Sequence, residues 1–122
     1  MEIILWILQV ILAAIFAMAG VNKSTKSTEQ LMELGIYWAD RFPVPTVRFI
    51  GISELLGAIG LILPWWLNIG PILTPIAAAG LALVMLLAIF HHLKHQEYKT
   101  IAINFGLLSL AAVVAYFRFT AL

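Results

Sequence analysis

Cysteine is absent from this chain of 122 residues, which removes disulfides, CxxC redox pairs, thiolate nucleophiles and cysteine-ligated metals from its chemistry. Charge is nearly as scarce: only 11% of residues are Asp, Glu, Lys or Arg, and the formal net charge is +1. Such a near-neutral chain lacks the basic surface that a nucleic-acid partner requires, so none is expected. Also missing are a glycine-rich phosphate loop after a strand, an HExxH pair and a nucleophile elbow. The sequence therefore holds no autonomous catalytic motif.

What it does hold is hydrophobicity, 63% of residues with a mean hydropathy of +1.04. A soluble domain of this length would need far more polar surface, so the composition reads as an integral membrane protein, with length for one domain over residues 1–122. Four stretches approach the roughly 20 apolar residues of a spanning helix: about 3–21, 47–63, 72–92 and 100–118. The expected fold class is all-α, a membrane-embedded four-helix bundle. Ala17-Met18-Ala19 resembles a signal-peptide cleavage site. The first stretch nevertheless starts with Glu2 instead of Lys or Arg and has too long an apolar core, so a retained helix is expected. Lys23, Lys26, Arg41, Arg48, Lys94 and Lys99 fall in or beside the first and third loops, against Arg118 alone on the other side. This bias predicts cytoplasmic first and third loops and both termini outside.

Punctuation adds detail. Pro64 is expected to close the second span, with Trp65-Trp66 as an interfacial anchor. Thr74-Pro75 reads as a hydroxyl N-cap followed by proline at the first helical position. In the long first loop, Ser27-x-x-Gln30 is a capping box. Beyond it, Leu31, Leu34, Trp38 and Phe42 recur at helical spacing opposite Glu29, Glu33 and Asp40. The pattern predicts a short amphipathic helix, either lying on the membrane surface or folded over the bundle mouth as a lid. Pro43-Val44-Pro45 then stops it.

The most informative polar residue is Glu54, near the middle of the second span. An ionisable group in a spanning segment costs roughly 2.5–3.5 kcal/mol at the helix centre, and it faces protein or water instead of lipid. At ~1.5 Å per residue, Glu54 lies about 9 Å past Arg48, and Asn104 about 7–8 Å past Lys99. Lys23 closes the first span and His91-His92 the third, so all of these share one half of the bilayer. Glu54 could accept a proton or bind a ligand, or serve as a structural pair for Lys23 or Arg48. His91 and His92 are proton partners or interfacial side chains; Asn104, like Gln9 toward the opposite end, is interhelical glue or, for Asn104, a ligand contact. His91 and His95 have metal-pair spacing but no further local ligand, so no metal site is expected. Gly20 on the first span and Gly51, Gly57 and Gly60 on the second form small-residue faces for close helix packing. An apolar pocket with a few polar groups suits a lipid-like or quinone-like molecule.

These residues resemble the DoxX-like family of small four-helix membrane proteins. The resemblance is carried by Ala19-Gly20-Val-Asn-Lys23, by Arg48-x-x-Gly51-x-x-Glu54-x-x-Gly57-x-x-Gly60-Leu61-x-Leu63-Pro64, and by His91 or His92 ending the third span. It implies a bacterial inner-membrane bundle acting as an accessory subunit of a redox system and binding a quinone or another hydrophobic molecule. Because cysteine is absent, any redox work would pass through a bound quinone or a partner's cofactor. Two further functions are implied by related proteins: an assembly factor that binds partner transmembrane helices, and an isomerase-like enzyme using Glu54 and a histidine as acid and base. The partners expected are thus the bilayer, a hydrophobic small molecule, and a membrane protein or a second copy of the chain.

Overall fold

A computed structural model of the chain describes residues Met1–Leu122 as α1 (Glu2–Thr25), α2 (Thr28–Glu33), a 3-10 turn (Tyr37–Arg41), α3 (Val44–Leu67), α4 (Leu73–Lys94) and α5 (Tyr98–Thr120). Helices α1, α3, α4 and α5 are each long and apolar enough to cross a membrane. Helices α1, α4 and α5 end a few residues beyond their apolar stretches, because the backbone ladder continues into residues that no proline or glycine interrupts. The four close into a ring: α1 lies along α3, α4 along α5, α3 against α4, and α1 meets α5 more lightly. Leu12, Phe16, Leu61, Ala78, Leu81, Met85, Ala111 and Val114 fill the centre. Large apolar side chains such as Ile3, Phe49, Leu56, Leu87 and Phe105 point outward, as a lipid-facing surface permits.

Glycines set the closest approaches. A Cβ on Gly20 would lie 2.6 Å from the Gly51 carbonyl oxygen, and one on Gly51 would lie 2.7 Å from the Lys23 Cβ. The α1 and α3 backbones therefore touch here, which carries Lys23 to the height of Glu54. Between α3 and α4 the same role falls to Gly57 against Leu81 and to Gly60 against Ala77, each leaving no room for a Cβ. The four packing glycines expected from sequence all lie at such contacts.

Three expectations need correction. Pro64 does not end α3, which continues to Leu67 and stops at Asn68 in the left-handed conformation. An interior proline deprives the carbonyl four residues earlier of its donor, and that carbonyl belongs to Gly60. The hydroxyl of Thr74, fully buried, donates to the Gly60 oxygen at 2.8 Å. Thr74 is thus no N-cap: α4 begins at Leu73 with Ile72 before it, and its threonine repairs the proline's gap across the helix interface.

The first loop holds two short pieces in place of one helix. The capping box at Ser27 and Gln30 is present, but Gly35 at φ +89° breaks the helix after one turn and a half. Leu34 consequently faces outward, whereas Leu31, Ala39 and Val47 form a small separate core with Ile36, Trp38 and Phe42 packed on it. This places the segment over the mouth of the bundle. At the opposite end, fully buried Arg118 binds Gln9 Oε1 through Nε at 2.7 Å and Glu2 Oε2 through Nη1 at 2.7 Å. Its guanidinium carbon lies 4.4 Å from the Trp65 ring centroid, and Gln9 Nε2 donates to the Leu61 carbonyl at 2.6 Å. Gln9 therefore joins α1, α3 and α5, as the interhelical reading required.

Candidate functional site

Lys23 and Glu54 meet beside the Gly20–Gly51 crossing. Lys23 Nζ donates to Glu54 Oε1 at 2.7 Å; the carboxylate is 1% exposed and the ammonium side chain 12%. Neither charge could remain alone in an apolar bundle without a large desolvation cost, and their pairing accounts for both. Only one carboxylate oxygen is used, however, and Glu54 also lines a cavity of about 370 Å³. Its Oε2 thus stays available to a molecule there, as do two of the three ammonium protons of Lys23.

The cavity has an apolar body and a polar end. Its walls include Phe49, Ile50, Val84, Met85, Leu87 and Ala88, and its polar residues include Lys23, Glu54, His91, His92 and Asn104. The roof is Trp38 and Phe42 from the first loop. Lys23 Nζ sits 5.2 Å from the Trp38 ring centroid, a cation–π contact that ties roof to site. Phe42 touches His91 at 5.0 Å between ring centroids and meets Trp38 edge-on. Of the two readings of this segment, surface helix and lid, its placement is that of a lid.

Two residues hold the lid that the sequence did not single out. Arg41 Nη1 donates to Glu97 Oε1 at 2.7 Å, and Glu97 Oε1 is also 3.0 Å from His92 Nδ1. Ionised Glu97 can only accept, so His92 donates through Nδ1 and its Nε2 remains uncommitted. The same Arg41 nitrogen lies 3.1 Å from His91 Nε2; a guanidinium has no acceptor, so His91 accepts there and carries its proton on Nδ1. Hydrogen bonds from Arg41 first, then His92, hold the Glu97 carboxyl down at about 2. The signal for Glu97 was local: a carboxylate one turn beyond a run of histidines, immediately before a helix. Arg41 had no local signal.

The remaining candidates separate. Arg48 was expected as a possible electrostatic neighbour of Glu54; instead its Nη1 donates to the Lys23 carbonyl at 2.9 Å and to the Lys26 carbonyl, capping the end of α1. It closes a helix terminus and does not line the cavity. Asn104, buried on α5, forms no side-chain bond to another helix and lines the cavity, so its amide is not committed to joining helices. His91, His92 and Glu97 each bring a ligating atom to within 4.8 Å of the others. The expectation of no metal site considered only His91 with His95, and the fold supplies Glu97 as a third donor. These three could hold a divalent ion if Arg41 swung aside; in the present arrangement its guanidinium sits against two of them.

The family model described as the DoxX-like family matches residues 7–114. The chain therefore belongs to the DoxX-like family, as a multi-pass membrane protein built on an all-α four-helix bundle. No curated protein matches it, and no solved structure does.

Proposed function

We propose that this DoxX-like membrane protein is an accessory subunit of a redox system in the inner (plasma) membrane, and that its cavity binds a quinone or another small hydrophobic molecule with a polar head. The observation that carries this reading is the cavity's make-up. Its volume of about 370 Å³ falls in the range of ligand pockets, which are mostly apolar with a few placed polar groups. A quinone carbonyl needs a donor, and Lys23 and Asn104 supply donors. The reduced quinol needs acceptors, and Glu54 Oε2, the Asn104 carbonyl and His92 Nε2 supply those. The same walls thus suit both oxidation states, while the electrons come from a partner's cofactor. The basic residues around the first and third loops support an orientation with the lid end toward the cytoplasm.

Quenching of Trp38 fluorescence by a tail-free benzoquinone tests the reading, in protein whose other tryptophans, Trp6, Trp65 and Trp66, are replaced by phenylalanine. Asn104→Leu removes a polar contact without breaking a protein hydrogen bond and should weaken binding about tenfold, the equivalent of one good hydrogen bond. Glu54→Gln should weaken it as well. Quenching that does not saturate, or that ignores Asn104→Leu, would show that the cavity is not the binding site. The acid–base alternative would appear instead as turnover with a bell-shaped pH profile that disappears in Glu54→Gln.

A further inference from the structure

A second hollow of about 490 Å³ lies between α3 and α4, with Leu56, Ile59, Gly60, Ile76, Ala77 and Gly80 among its walls. It differs from the cavity in two ways. Its rim side chains Leu56, Ile59 and Ile76 are exposed on the lipid-facing surface, so it is an open groove. It also makes no polar demand: the Ser53 hydroxyl is spent on the Phe49 carbonyl at 2.8 Å, and the Gly60 carbonyl freed by Pro64 is taken by Thr74.

Groove and cavity adjoin. Ser53 and Val84 line both, so only that pair of side chains stands between the polar-ended chamber and the groove. From Ser53 the groove follows α3 to Pro64, about 16 Å at ~1.5 Å per residue, or roughly half of a ~30 Å hydrocarbon core. A neighbouring helix would need the groove alone. A groove lying next to a chamber with Glu54, Lys23 and Asn104 at its far side fits a molecule with a polar head and a long apolar tail.

We propose that the α3–α4 groove binds the alkyl or isoprenoid tail of an amphiphile whose head occupies the cavity, so that the ligand enters sideways from the bilayer beneath the lid. This rests on the cavity-binding reading above and narrows it to long-tailed molecules. The lid then need not open to admit the tail, and tail and head contribute to affinity separately.

Gly80 makes the test clean. An added Cβ there meets nothing within 4 Å, so Gly80→Leu fills the groove without forcing the helices apart. Gly106 on α5 is equally open and lines neither space, which makes Gly106→Leu the control. Binding of tail-free and decyl-tailed benzoquinone is compared in the same vesicles, where partitioning into lipid is common to all variants. The expected result is tighter binding of the tailed form to the unaltered protein, a loss of at least fivefold for that form alone in Gly80→Leu, and no change in Gly106→Leu. Tailed-quinone binding unchanged by Gly80→Leu would overturn the groove assignment while leaving the head site standing. If the tailed form binds and responds to Gly80→Leu but neither form responds to Asn104→Leu, the head site fails and the groove survives. If neither quinone binds, both assignments fall. Conversion of a dimer to a monomer by Gly80→Leu with quinone binding unchanged would give the groove to a second copy of the chain.

Discussion

Single side chains in this bundle divide into those whose cost announces them and those whose partners are set only by the fold. Glu54 belongs to the first kind, because a carboxylate inside an apolar run demands a partner or a ligand wherever its helix packs; depth left Lys23 and Arg48 both in reach, and packing chose Lys23. Thr74 belongs to the second. Local rules read Thr74-Pro75 as a helix start, whereas the deciding fact is fourteen residues away, where Pro64 strips the Gly60 carbonyl of its donor and Thr74 replaces it at 2.8 Å. Thr74→Val keeps shape and removes the hydroxyl, so the Gly60 oxygen is left buried and bare. The cost should be about 1 kcal/mol, the usual scale for a hydrogen bond between membrane helices. Pro64→Ala restores an N–H able to reach the same carbonyl, and Thr74→Val should cost clearly less in that background. Unfolding of the four proteins in mixed micelles closes the cycle; equal costs in the two backgrounds would show that Thr74 does not answer the proline. The pairing of Arg41 with Glu97 escapes sequence reading for the same reason as Thr74: the two are separated by 56 positions, and no periodicity links a loop arginine to a glutamate at the start of α5.

Helices are the most legible elements, since four apolar stretches of spanning length leave little choice, and their bounds differ only where polar ends continue the ladder or where α3 runs through Pro64. The lid is half legible. Its capping box is written plainly in Ser27 and Gln30, but the 3.6-residue apolar pattern carries on past Gly35, whose positive φ of +89° ends the helix, so Leu34 lands on the outer face. What fixes the lid is the tie from Arg41 to Glu97, shared with His92 on the end of α4. The Glu97 carboxyl sits at about 2, against 4.5 for the unperturbed group. A lowered folded value means that this carboxylate stabilises the closed lid fully above about pH 4.5, and that the contribution declines progressively below that and is gone once pH has fallen through about 2. With the lid closed the Glu97 carboxylate keeps its charge down to about 2, so the Arg41–Glu97 tie should persist between about pH 5 and pH 3, where ordinary carboxylates titrate. Trp38 emission, with the other tryptophans replaced, should be flat across that window in the parent protein and shifted at every pH in Glu97→Gln. An emission change centred near pH 4 in the parent would show that Glu97 is not held by Arg41 and His92.

For the molecule as a whole, the sequence disclosed the number of spans and the gathering of Lys23, Glu54, the histidines and Asn104 at one level, while the cavity, the groove beside it and the Arg118 cluster emerge only from packing. Orientation links these scales. Positive residues act on insertion before any of their folded pairs exist, so Lys23, Lys26, Arg41, Arg48, Lys94 and Lys99 all weigh against Arg118. Folding does not reverse the balance: Lys94 and Lys99 remain exposed at the lid end, whereas Arg118 is buried and neutralised by Glu2 at the other. A lid facing the cytoplasm would also place Arg41, Glu97 and the cavity mouth where a soluble redox partner could reach them. Because the chain has no cysteine, single reporters can be introduced without background. Asn68→Cys, in the exposed turn between α3 and α4, should react with a membrane-impermeant maleimide on intact cells stripped of their outer layers. Glu29→Cys, exposed on the lid, should react only after the membrane is opened. The opposite pattern would put the lid outside and require any electron-transfer partner to be an extracytoplasmic one, and labelling of both sites in intact cells would mean that the chain inserts in two orientations.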